Sequence, residues 1–160
     1  MTADNTDEAR LLDVTSHINA VADRVHDLAG RKPRVIVGIA GAPGSGKSTL
    51  ALALMALGCE LVADDRTHIT PAPDGGLWAS CPATIAGLVE ARGVGLLHAV
   101  PHGPARLYLA VERGTPETLR LPPERRVMHL GSSLPLLHDI DTGHFAPAIL
   151  QYLKAGRREP

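Results

Sequence analysis

The sequence predicts an α/β domain, a core sheet with flanking helices, and three observations lead there. A short β-branched run at Arg34–Ala40 has the continuous apolar character of a buried strand. A glycine-rich turn at Gly41–Ser48 follows it directly, and an Ala/Leu-rich helical segment follows the turn. Beyond these, strand-like and helix-like segments alternate to the end of the chain, punctuated by Gly and Pro. The 160 residues are 44% hydrophobic and 21% charged, which suits one globular domain rather than a disordered chain.

Taken in order, residues 1–6 read as a frayed end. From Asp7 to Leu28 the apolar residues Leu11, Leu12, Val14, Ile18, Val21, Val25 and Leu28 recur at helical spacing. That pattern predicts an amphipathic helix, with Gly30 placed to end it and Arg31–Pro33 as a connector. After the strand and the glycine turn, Thr49–Leu57 reads as a helix closed by Gly58. Glu60–Ala63 is a short strand ending at Asp64 and Asp65. A hairpin follows, Thr67–Thr70 and Leu77–Ser80, turning at Pro73–Gly76. Ala83–Ala91 reads as a helix stopped by Arg92–Gly93. Strands are expected at Val94–Ala99, Arg106–Glu112 and Val127–Leu130, and a final amphipathic helix at Phe145–Lys154.

Composition removes several functions. Sixteen basic against seventeen acidic residues give a net charge of −1, so no electrostatic bulk exists for nucleic acid or an anionic membrane. Trp78, Tyr108, Phe145 and Tyr152 are the only aromatics, too few for a single-strand stacking platform. No apolar run of about 18 residues could span a bilayer. The polar, mixed-charge N-terminus is not a secretory signal, and Cys59 with Cys81 makes no disulfide framework, so a cytoplasmic setting is expected. His98 and His102 are spaced like helical metal ligands, but Pro101 between them breaks the helix that would align them.

Gly41-Ala-Pro-Gly-Ser-Gly-Lys47-Ser48 satisfies Gly-x-x-x-x-Gly-Lys-Ser/Thr. The glycines let the backbone curl until successive N–H groups point at one phosphate, and the following helix adds its positive end. Gly41, Gly44, Ser45, Gly46, Lys47, Ser48 and Thr49 are therefore the expected phosphate-binding set. Lys47 would reach the outer phosphates, and the Ser48 hydroxyl would ligate Mg²⁺. Asp64 and Asp65, just past a buried strand, can hold a cation through water or take a proton from an attacking hydroxyl. Adjacent residues on an extended strand face opposite sides, so the two acids are not expected to share one task.

From the cradle onward the chain resembles HPr kinase/phosphorylase in its short form. The resemblance lies in GSGKS (44–48), ALALMALGCELVADDR (51–66), LVEARGVGLL (88–97), LYLAVE (107–112), LRLPP (119–123), LGSSLPLL (130–137) and HFAPAILQYLK (144–154), and the stretch it covers is about 110 of the 160 residues. It implies a P-loop kinase-like domain over 34–156, with a central mixed sheet, a hairpin insertion and flanking helices; the helix and connector read from the spacing occupy 1–33. It implies ATP with Mg²⁺, HPr as substrate and a homohexamer. Carried over by position, Asp65 would be the general base and Asp64 a supporting acid near the metal. Glu90 would be a second Mg²⁺ ligand beside Ser48. Arg92, with Gly93 and Gly95, would form the catalytic turn, and Arg120 would be the later active-site arginine.

The first 50 residues depart from that pattern and resemble instead the start of uridine kinase and phosphoribulokinase-type enzymes. In short HPr kinases a hairpin bearing an active-site histidine leads into the cradle. His26 lies 21 positions before Lys47, the family distance, but in a charged helical context that reads as a surface histidine. A missing leading hairpin would leave a sheet edge exposed. The resemblance predicts an ATP-dependent protein-serine kinase. The alternatives are a small-metabolite kinase of the uridine kinase type and a nucleotide-binding regulatory module without transferase activity. After LGSSLPLL, Asp139 and Asp141 stand where an anion-binding nest would be wanted, which predicts phosphorylation with weak or no phosphorolysis.

Overall fold

The β-branched run before the glycine turn forms the strand expected of it. In the structure, a computed structural model describing residues 18–23 and 35–158, that strand is β2 (Val35–Ala40), and β1 (Ile18–Asp23) precedes it. β1 pairs antiparallel with β2, from Ile18↔Ala40 to Asp23↔Val35. The amphipathic helix expected over Asp7–Leu28 is thus corrected at Ile18–Asp23, where the chain is extended. Local spacing favoured a helix, but pairing on both sides of β1 overrides it. The rest of that expected helix, the connector and His26 lie outside the described residues. The expected absence of a leading hairpin is corrected too, because an antiparallel strand pair does lead into the cradle.

Helix α1 (Lys47–Ala56) starts at the last turn of the glycine loop, and Gly58 receives the chain beyond it with φ +96°. β3 (Glu60–Ala63) returns to the sheet beside β1. β4 (His68–Pro71) and β5 (Leu77–Ser80) form the expected hairpin, and β5 also pairs with β8. The helix expected at Ala83–Ala91 is not there. A single 3-10 turn (Ala83–Ile85) gives way to β6 (Leu88–Ala91), paired with β7 (Gly95–His98) as a separate hairpin. Gly87 turns the chain at φ +72°, where a Cβ would meet the Ala99 carbonyl at 2.9 Å. Val89 and Ala91 are then buried while Glu90 between them is exposed, the alternation of a strand.

β8 (Ala105–Pro116), β9 (Arg125–His129) and β10 (Ser132–Asp139) complete the sheet, and α2 (Phe145–Ala155) closes the described chain. The result is a mixed α/β fold with a central mixed sheet, in the order β3-β1-β2-β8-β10-β9. The β2–β8 and β8–β10 pairs are parallel and the others on this path antiparallel. Along β8, Ala105 and Leu107 join the cluster that holds Leu77 and Ala79 of the hairpin. Leu109 and Val111 join the cluster that holds Leu54 of α1 and Ile149 of α2. Full burial of side chains such as Leu54, Leu109 and Ile149 contributes about 1.5–3 kcal/mol each before entropic costs, and it clamps α1 onto the sheet. The loop between β2 and α1 is thereby held at both ends.

Candidate active site

Within the loop, Gly41, Gly44 and Gly46 take φ of +149°, +80° and +84°, a curl closed to most L side chains. At Gly41 and Gly46 space is close as well. A Cβ on Gly41 would lie 2.5 Å from both Arg113 O and Ser45 Oγ, and one on Gly46 would lie 2.9 Å from Arg113 Nη2. Gly46 is the N-cap of α1, with no side-chain cap, so the helix end is left to bind an external anion. The Lys47 ammonium donates to Gly41 O and Ala42 O, each at 2.9 Å. Its pKa is held below the usual lysine range by burial, and the Asp64 and Asp65 carboxylates oppose that shift.

The two acids past β3 behave as a pair with unequal surroundings. Asp64 is 6% exposed and accepts from Ser48 Oγ at 3.1 Å and from Glu90 N at 2.8 Å. Burial pushes its carboxyl above the ordinary range, against those two hydrogen bonds. Asp65 is exposed. Both line one cleft, rather than facing opposite sides, because β3 ends at Ala63 and the chain bends at the acids themselves.

That cleft has a volume of about 300 Å³. Gly44, Gly46, Lys47, Ser48 and Thr49 line it from the loop, Asp64 and Asp65 from the β3 end, and Glu90 and Arg92 from the β6–β7 hairpin. The segment Glu90–Gly95 therefore reaches the loop as a β-turn, not as a helix end, and the Arg92 guanidinium lies 3.5 Å from where a Gly44 Cβ would be. Arg120 is exposed in the bend between β8 and β9 and does not line the cleft. A larger cavity of about 670 Å³ lies between α2, β10 and the 117–125 segment, but its walls are mostly apolar. The chemistry-bearing groups converge on the smaller one.

Among the described residues, no cluster of three or more His, Cys, Asp or Glu is disposed to hold a metal unaided. The Ser48–Asp64–Glu90 group fits Mg²⁺ in another way. That ion keeps waters and phosphate oxygens and is bound by the protein through only one or two carboxylates. One hydroxyl, a buried carboxylate on it and a second carboxylate at the cleft wall are such a donor set.

Arg113 went unread in the sequence. Arg113 donates through Nε to Ser45 O at 3.3 Å and through Nη1 to Asp139 Oδ1, so an arginine does stand beside the glycine loop. Asp139 accepts also from Gly114 N at 3.2 Å. Its charge is compensated, and the expected repulsion of a second phosphate by Asp139 loses its basis. Arg125 and Arg126 do not reach the loop: Glu117 holds the first, and Glu124 with Ser133 the second. No local signal marks Arg113, because a break in strand register brings it there.

A mixed α/β sheet whose second strand runs into a Gly-x-x-x-x-Gly-Lys-Ser loop and helix, faced by acids from the neighbouring β3 end, defines a P-loop class of domain. Residues 34–102 match the HPr Serine kinase C-terminal domain family. In sequence, the chain is 45% identical over 60 residues to HPr kinase/phosphorylase of Xanthomonas campestris pv. campestris (strain B100) and of Xylella fastidiosa (strain M12). Those 60 residues are 38% of this chain and only 19% of each relative, so the chain matches about a fifth of their length. In fold, it superposes on the Hpr(Ser) kinase/phosphatase from Coxiella burnetii with a TM-score of 0.66, at 24% identity, covering 87% of this chain and 92% of that one.

Proposed function

We propose that this domain is an ATP-dependent protein-serine kinase whose acceptor is the phosphocarrier HPr. The observation that carries the reading is the meeting of Lys47, Ser48, Asp64, Asp65, Glu90 and Arg92 in one cleft, drawn from three separate parts of the chain. The glycine loop and the N-terminus of α1 would hold the phosphates, and Ser48, Asp64 and Glu90 the Mg²⁺. When bound, Mg·ATP supplies the transferable phosphoryl group and a counter-charge for it. Asp65, exposed at the mouth, takes the proton of the incoming serine hydroxyl on its carboxylate. Lys47 and Arg92 steady the charge that develops on the phosphoryl oxygens, and most of the rate comes from such positioning. The family resemblance further suggests a hexamer and a cytoplasmic site of action. No helix among the described residues is long and apolar enough to cross a membrane.

The uridine kinase alternative drew on a leading helix, and residues 18–23 of that helix are a strand. The test is ATP turnover with purified HPr, with a nucleoside panel and with no acceptor. Phosphoserine on HPr alone is expected. Phosphorylated nucleoside, or nucleotide binding with no transfer to any acceptor, would overturn the assignment.

A further inference from the structure

We infer that Arg113, held by Asp139, is a positioning residue that aims one phosphate-facing amide of the glycine loop. The inference rests on the nucleotide reading above and deepens it.

Strand register puts Arg113 where it is. Ala40, the last residue of β2, pairs with Glu112 of β8, so the loop leaves β2 beside the point where Arg113 follows. On its other side β8 pairs Glu112 with His138 but Pro116 with Asp139. Three residues of β8, Arg113, Gly114 and Thr115, therefore fall between two consecutive residues of β10. A bulge of this kind bends the strand and re-aims side chains. Here it brings Arg113 against the loop, where a Cβ on Gly41 would meet its carbonyl oxygen at 2.5 Å and one on Gly46 its guanidinium at 2.9 Å.

The guanidinium then has two partners. Nη1 donates to Asp139 Oδ1, and the other oxygen of that carboxylate accepts from Gly114 N, so both ends of the pair are fixed to the bulge. Nε donates to the carbonyl oxygen of Ser45 at 3.3 Å. A trans peptide is planar, with its C=O and N–H pointing in opposite directions. Fixing Ser45 O therefore fixes the Gly46 N–H on the opposite side of the same peptide plane. Gly46 is the N-cap of α1, whose amides face the anion-binding end. Arg113 acts behind the loop; it is absent from the residues lining the cleft and does not touch the phosphate position itself.

The test uses the full chain, Mg·ATP titrated by calorimetry, and thermal melts in parallel. Arg113→Met should weaken Mg·ATP about tenfold or more, as loss of a charge-assisted anchor implies. It should also lower the melting temperature, because Asp139 loses its partner. Arg113→Lys should regain part of the affinity. The decisive variant is the double Arg113→Met/Asp139→Asn, which removes both charges and so restores the melting temperature. The inference expects Mg·ATP affinity to stay low in that variant. Affinity that returns together with the melting temperature would make the pair purely structural and overturn it. So would wild-type affinity in Arg113→Met while Lys47→Ala fails to bind. Wild-type affinity in Lys47→Ala would overturn the nucleotide reading itself, and this inference with it. If Arg113→Met does not fold, the double variant decides alone.

Discussion

Asp64→Asn should separate holding the cation from holding the fold. The carboxylate is 6% exposed and meets Ser48 Oγ and Glu90 N, and the carboxamide has nearly its shape, so no cavity opens. Burial outweighs the two hydrogen bonds and leaves the carboxyl above its ordinary range, so the metal-free fold holds a neutral group better than a charged one. The melting temperature without Mg²⁺ should therefore stay level or rise by a few degrees, at roughly 2–4 °C per kcal/mol for a chain of this size. The cation pays the opposite consequence. A unit charge about 4 Å away interacts with another by about 4 kcal/mol at an effective dielectric near 20. Allowing generously for water between them, the Mg²⁺ requirement should rise on the order of a hundredfold. The assay is a Mg²⁺ titration of ATP-dependent HPr phosphorylation, with melts in chelator. An unchanged Mg²⁺ midpoint, or a melting temperature lowered by more than about 5 °C, would refute the reasoning.

Asp65→Asn should abolish transfer to HPr while sparing Mg·ATP binding, whereas Glu90→Gln should keep transfer at a higher Mg²⁺ demand; equal loss of nucleotide affinity in both would sink this division of roles. Gly46→Ala forces a side chain to φ +84° and against Arg113, and should cost about 1–2 kcal/mol along with most Mg·ATP affinity; unchanged melting and binding would contradict it. Burial lowers the pKa of His129, so the unfolded chain takes up the proton first. Its contribution is whole above about pH 6.5 and is lost as pH falls through the lower folded value. His129→Gln should flatten that acid limb in melts, and parallel acid limbs would exclude the effect.

The cradle was legible because it is local: eight consecutive residues specify its turn, its donors and the helix that follows. β3, the β4–β5 hairpin and α2 were legible for the same reason, as short periods bounded by Gly, Pro or charge. What failed was set by distant partners. Leu88, Glu90 and Ala91 are good helix formers, and it is the burial of Val89 and Ala91, the turn at Gly87 and the pairing with β7 that make Leu88–Ala91 a strand. Ile18–Asp23 matched a helical period, yet it pairs with β2 and β3. β10 was hidden by Pro135, which lacks a donor; its pairing with β8 begins one residue later, at Leu136. Of the candidate site, Gly44, Gly46, Lys47, Ser48, Thr49, both acids, Glu90 and Arg92 do meet in the cleft, while Gly41 and Ser45 of the loop do not line it. Arg120 does not, and Arg113 could not be found, because its place depends on a register break between strands 20 or more residues apart.

The position of β1 bears on how this chain can be cut. The family match begins at residue 34, but the sheet does not, since β1 stands between β2 and β3. A fragment that starts where the match starts would keep the whole glycine loop and lose the strand that joins the two strands flanking it. Each would then present an unpaired edge to solvent, a template for pairing with other chains. The same arrangement shapes assembly, because β2 and β3 cannot settle into register until a segment from outside the match lies between them. An early-synthesised strand thus waits for both of its partners. Truncation at residue 34 should yield aggregates rather than a smaller active domain.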